Sequence, residues 1–225
     1  MKLAVTLAAL VMAALVLPFV LPRGDAPADQ GYLPWRVEVL GNGRSRVFGL
    51  TLPTSTLAEA RRLHGGDLSL GLIREAGGEL SLEAYQPSVR LGFVTGKLIL
   101  TLAASADELT AMSRRAADSE ATRSGARRLS LASADVRSAE HLRIVGISFI
   151  PSVDLDRQVI VDRFGEPDQR IEQTGGLVHY LYPARGLDLL IDEGGRELLQ
   201  YVAPADFARL TAPLAAGERV EPVAQ

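Results

Sequence analysis

The sequence predicts an α+β fold behind a membrane segment. The expected order is an N-terminal transmembrane helix followed by two tandem β-α-β-meander units, each a helix packed on an antiparallel sheet. Three observations carry this expectation. Residues Leu3 to Leu21 contain no charge. A succession of strand, glycine-ended helix, glycine-pair turn and proline-ended aromatic strand occurs twice in the same order. Its strands alternate apolar and polar residues, as sheets with one covered face do.

As a helix, the run from Leu3 to Leu21 is about 28 Å long, close to the hydrocarbon thickness of a bilayer. Only Lys2 and the amino terminus precede it, which places the N-terminus in the cytoplasm and the remainder outside it. A cleaved signal peptide is the competing reading, with Ala26-Pro27-Ala28 as the cleavage site. Pro27 within that site and Arg23 just ahead of it make the site poor, and the run is long for a signal core. A retained anchor is therefore favoured over a cleaved signal, and both over a buried soluble helix. Pro18 falls in the last turn, where a missing hydrogen bond is tolerated. The expected location is the inner membrane, single-pass, with the C-terminal domain in the periplasm.

The chain has no cysteine, which excludes disulfides, thiolate metal sites, cysteine nucleophiles and a lipoprotein anchor. A net charge of −3 argues against nucleic acid as a partner. Aromatic residues make up only 5%, so no aromatic-lined sugar or base groove is indicated. Nearly all the cations are arginine; Lys2 and Lys97 are the only lysines.

The repeat aligns Arg46 to Leu57 with Arg143 to Leu155, the second copy carrying one extra residue. A short helix follows in each copy, Thr56 to His64 before Gly65 and Asp154 to Phe164 before Gly165. Glycine pairs Gly77-Gly78 and Gly175-Gly176 then break strand-like runs, and the strands through Tyr85 and Tyr180 end at Pro87 and Pro183. In the first helix Thr56 and Glu59 form a capping box. In the second, Ser152 or Asp154 can cap, and Gly165 closes the end. Leu80, Leu82 and Ala84 alternate inward, followed by Val89, Leu91 and Phe93. If the duplication holds, Gly49 superposes on Gly146, Leu57 on Leu155, Gly65 on Gly165 and Pro87 on Pro183.

The domain organisation follows: 1–22 transmembrane anchor or signal, 23–31 linker, 32–104 first unit, 105–141 connecting helix and strand, 142–210 second unit, 211–225 tail. The connecting helix starts at a second capping box, Ser105 with Glu108, and is expected to run to Ser124. A strand over Arg127 to Leu131, a turn or short helix at Ser133 to His141 and a brief helix at Pro204 to Leu210 complete the chain.

The corner Phe164-Gly165-Glu166-Pro167, with the Tyr180-Leu181-Tyr182 strand behind a glycine turn, resembles the SmpA/OmlA module. That module occurs in the small subunit of the outer-membrane β-barrel assembly machine. The same segment is similar to the repeats of the β-lactamase inhibitor protein, which carries two such modules in tandem. The resemblance is best over residues 146–202 and looser over the first unit, where Gly65-Gly66-Asp67 replaces the corner. It implies a module that binds other proteins with a sheet face, and not an enzyme.

No motif contradicts that implication. His64, His141 and His179 lack metal spacing, there is no Gly-x-Ser-x-Gly elbow, and Asp154-Leu155-Asp156 suits a first helical turn better than a metal. The pairs Arg61-Arg62, Arg114-Arg115 and Arg127-Arg128 can touch anionic lipid, but solvated helix faces are the commoner explanation and are favoured. No cofactor and no metal are expected. The anticipated function is an accessory or scaffolding subunit of a bacterial envelope complex. Its partners would be an envelope or inner-membrane protein and, through residues 3–21, the lipid bilayer. The alternative is an envelope hydrolase or small-ligand or lipid carrier with a site assembled from scattered residues. The candidate binding residues are Tyr180, Tyr182 and Arg185. If the helix covers Leu177, His179 and Leu181, the tyrosines stand exposed beside the arginine; the opposite parity puts them in the core and His179 in solvent.

Overall fold

A computed structural model describes residues 32–122, 125–155, 157–192, 196–214 and 219–221. The apolar run from Leu3 to Leu21 and the Ala26-Pro27-Ala28 site lie outside the described residues. Among those that are described, no helix is long and apolar enough to cross a membrane.

Short strands β1 (Glu38–Leu40), β2 (Arg44–Val47) and β3 (Leu50–Leu52) form a small antiparallel sheet. The capping box at Thr56 and Glu59 starts α1 (Leu57–His64) as the sequence expects, and Leu57 and Ala60 turn inward. A meander follows: β4 (Ser69–Arg74), β5 (Leu80–Leu91) and β6 (Val94–Leu102). The second capping box, Ser105 with Glu108, opens α2 (Ala106–Arg115). Next come β7 (Ser119–Ala121), β8 (Arg127–Leu129) and α3 (Ser133–Ala139). The chain then forms β9 (Ile144–Pro151), α4 (Arg157–Phe164) and a second meander of β10 (Gln169–Gln173), β11 (Leu177–Tyr182), β12 (Leu187–Asp192) and β13 (Arg196–Tyr201). Helix α5 (Ala208–Thr211) and β14 (Arg219–Glu221) end the described chain.

The expectation of two tandem α+β units is overturned. The strands other than β1–β3 join one 11-stranded sheet in the order β14-β10-β11-β12-β13-β9-β6-β5-β4-β8-β7. Strand β9 sits at its centre, pairing Phe149 with Leu199 of β13 on one side and with Leu98 of β6 on the other. In a true duplication β3 would lie beside β6 as β9 lies beside β13. It does not, because its strand is three residues long and stops at Pro53, which has no N–H for a ladder. Phe48 (φ 54) and Gly49 (φ 77) also fold it straight back onto β2. At Gly49 an added Cβ would lie 2.8 Å from the Tyr32 ring, so glycine is required there. In place of a ladder, an isolated bridge of Thr56 with Arg143 joins the end of this segment to the start of β9, with Ile144 N–H donating to Ser55 O at 2.8 Å. The paired landmarks diverge accordingly: Gly49 is in a turn and Gly146 in a strand, while Pro87 is inside β5 and Pro183 opens a 3-10 turn.

Helix α2 also stops short of the expected Ser124, at Arg115, with Ala116 already extended. Beyond Met112 and Ala116 the segment offers only small or polar residues, and Asp118 and Ser119 favour turns over helix interiors. Gly125 (φ 88) instead turns β7 into β8.

One face of the large sheet carries the main core. Leu72, Leu82, Leu98, Leu100, Ile147, Phe149, Leu189 and Leu199 join a single cluster with Leu57 of α1, Met112 of α2, Ala139 of α3, and Ile160 and Phe164 of α4. The rings of Phe149 and Tyr201 stand 5.5 and 5.3 Å from Phe48 of the small sheet. We call this the inner face. The opposite, outer face is treated very differently along its length.

Candidate functional site

A single row of outer-face residues crosses the sheet through successive pairings: Tyr85, Ile99, Ser148, Gln200, Asp188 and Leu181. At the β11 end this row is covered. Leu181 and Ile171 pack with Leu214 and Phe207 of the C-terminal segment. Beside them the His179 ring nitrogen Nδ1 donates to both carboxylate oxygens of Asp188, at 2.8 and 3.0 Å, with both side chains buried.

The tyrosines expected as an exposed pair are not exposed. Tyr180 and Tyr182 are 5% and 2% accessible, on the inner face. The parity separating them from Leu177, His179 and Leu181 is right, but strand β11 has no free face: α4 covers one side and the C-terminal segment the other. Phe164 lies 6.3 Å from the Tyr182 ring, and the Tyr182 hydroxyl donates to Gly165 O at 2.9 Å. Burial pushes that phenol up to about 12, partly offset by the Arg185 charge, so it stays a donor. Nor does His179 face solvent as the opposite parity expects. Arg185 is half-buried, its guanidinium 5.4 Å from the Tyr182 ring and hydrogen-bonded to Phe164 O. It lines a groove on the inner-face side with Trp35 and Arg163, apart from the outer face.

At the β4 end, among the described residues, no helix or strand lies across the outer face. A cavity of about 370 Å3 opens there, lined by Ser69, Gly71 and Ile73 of β4, Glu83 and Tyr85 of β5, Ile99 of β6, Arg128 of β8, and Thr122. Ile73, Tyr85 and Ile99 are each only partly buried. Arg128 folds over Gly71, where a Cβ would come within 2.5 Å of its Nε, and donates to Ser69 Oγ at 3.1 Å and Leu70 O at 3.3 Å. The floor carries one carboxylate, Glu83, which accepts from Ser81 Oγ at 2.9 Å. Burial holds the Glu83 carboxyl above its ordinary value, the Ser81 hydrogen bond opposes this, and nearby Glu75 adds to it. The arrangement is an apolar platform with one tyrosine, one clamped arginine and one reluctant anion. It has the composition of a recognition surface.

Sequence reasoning passed over these residues although their signal was present. Leu80, Leu82 and Ala84 alternate inward, so Ser81, Glu83 and Tyr85 must alternate outward. No family model, curated protein or solved structure matches the chain.

Proposed function

We propose that this protein is a membrane-tethered, exported binding module, an accessory or scaffolding subunit of an envelope complex, and that it engages a protein partner with the outer face of β4, β5 and β6. One observation carries the reading: at the β10–β11 end of a continuous sheet the outer face is sealed by the C-terminal segment, and at the other end it presents Ile73, Tyr85 and Ile99 around a concavity. Apolar surface left open beside polar rim residues is a common mark of protein interfaces. Tyrosine and arginine, here Tyr85 and Arg128, are favoured at their centres. The SmpA/OmlA resemblance, which implies sheet-face binding, supports the same reading, and the apolar run from Leu3 to Leu21 supports the tether.

The test is site-specific photo-crosslinking of the full chain in cells. A crosslinker at position 99 is expected to trap one envelope protein, and the same probe at position 190, equally part-buried on the same face but away from the cavity, is not. Ile99→Arg should remove that companion from a mild-detergent purification at unchanged melting temperature. Retention of the companion by Ile99→Arg overturns the reading. A bound small molecule at the cavity, with no crosslinked protein, replaces it with the carrier alternative.

A further inference from the structure

A second concavity, of about 600 Å3, lies at the other side of the molecule and is lined by Tyr32, Trp35, Arg36, Arg46, Arg163 and Arg185, with the Phe48–Gly49 turn and Glu38. Its four arginines come from four separated parts of the sequence, so it is not the solvated face of one helix. The one carboxylate is taken: Glu38 pairs with Arg46 at 3.1 Å. Among the described residues, Arg36, Arg163 and Arg185 make no ion pair. Two of these cations are nevertheless positioned. The Arg163 guanidinium sits 5.2 Å from the Trp35 ring, and Arg185 is held by Tyr182 and Phe164 O. Concentrating unbalanced positive charge in a cleft of a chain whose net charge is −3 raises its free energy unless an anion enters.

The rim shows what kind of anion. Phe93, 69% exposed at the β5–β6 turn, packs against Trp35 with ring centroids 5.7 Å apart and the rings tilted 54°. Val153, 52% exposed, lies just past the end of β9, next to Ser152, whose N–H bonds to Thr95 O beside that turn. Exposed aromatic and aliphatic side chains around a basic cleft match the interfacial layer of a bilayer, where aromatic rings sit at headgroup depth and arginines meet phosphate. The groove also adjoins Tyr32, and only the ten residues 22–31 separate the apolar run from the described chain. Ten residues reach about 35 Å at most, so a tethered domain keeps this end near the membrane.

We propose that this groove binds the phosphate of an anionic phospholipid headgroup, with Phe93 entering the interfacial layer and Arg36, Arg163 and Arg185 contacting the phosphate. This inference shares with the proposed function only the membrane tether, and it concerns a different surface. Trp35 is the only tryptophan in the chain, so its emission reports the groove directly.

The test titrates the full chain, held in neutral detergent, with short-chain phosphatidylglycerol, short-chain phosphatidylcholine or inorganic phosphate, following Trp35 emission and its quenching by acrylamide. Three arginines favour the anionic lipid over the neutral one about a hundredfold, and added salt erodes that preference. Replacing the two exposed arginines, Arg36→Gln with Arg163→Gln, should weaken phosphatidylglycerol binding about thirtyfold. Phe93→Ser, at a site too exposed to affect folding, should weaken lipid binding and leave any phosphate binding unchanged. Equal affinity for the two lipids overturns the proposal, as does an unweakened double variant. Phosphate binding as tightly as phosphatidylglycerol means a free-anion site and overturns the lipid assignment. None of these outcomes bears on crosslinking at position 99.

Discussion

The two sides of β9 are built alike and finished differently. Five strands flank it on each side, every pairing is antiparallel, and one inner face serves both. On the β13 side the outer face is closed by Phe207 and Leu214, and a histidine–carboxylate pair is sealed within. On the β6 side the corresponding surface stays open around Tyr85 and Ile99. The strand sequences differ in step. Strands β11 (Leu-Val-His-Tyr-Leu-Tyr) and β12 (Leu-Asp-Leu-Leu-Ile-Asp) are nearly continuous in apolar residues, as strands covered on both faces are. The stretch from Leu80 to Ala84 alternates with Ser81 and Glu83. A covered strand and an open one can therefore be told apart before any partner is known.

The strongest way to break this comparison is a charge on each side of the same outer row. Leu181 is 0% exposed, and Leu181→Asp should cost about 4 kcal/mol or more by burying an unpaired carboxylate. Ile99→Asp should cost under about 1 kcal/mol. Chemical denaturation measures both, and equal losses would mean that the β6 side is covered too. Next in size is Asp188→Ala, which leaves His179 buried without its partner and should cost about 3 kcal/mol by the same assay. Phe207→Ser acts on the lid itself. It should cost about 2 kcal/mol through lost apolar burial and raise binding of a hydrophobic dye on the formerly sealed half.

The smallest effect compares a carboxylate on each side. Glu83 has a raised pKa in the folded state, so its ionisation removes stability as pH rises from near 4.5 through the folded value. Glu83→Gln should therefore melt higher than the parent at pH 7 and no differently at pH 4, whereas Asp188→Ala melts lower at pH 7. A Glu83→Gln protein with no gain at pH 7 would place that carboxylate in water.

Local features were legible in the sequence because their causes are local. Thr56 with Glu59 and Ser105 with Glu108 start helices where they stand, and the glycine turns separate the strands as read. Even the parity of Tyr180 and Tyr182 was correct. What escaped was decided at long range. The likeness of Arg46 to Leu57 and Arg143 to Leu155 suggested two equivalent strands, yet one is a three-residue piece ended by Pro53 and the other runs for eight residues. Strand length, and not the shared motif, decided which of them reached β6. The burial of the tyrosines depended on which face α4 covers, with Phe164 packed against Tyr182, and no pattern within β11 can announce that. The arginine groove was invisible for the same reason: its charges meet only once residues 36, 46, 163 and 185 are folded together.

The central place of β9 also sets a timetable. Emerging from a ribosome or a translocation channel N-terminus first, the chain completes β4, β5 and β6 well before Ile144 appears. Until then β6, with Leu98, Leu100 and Leu102 on one side and Ile99 on the other, is an unpaired border able to recruit strands from other molecules. The middle of the sheet is thus closed from late-arriving chain, and a fragment ending before β9 is expected to clump. Whatever shields β6 must act during the interval between the two halves.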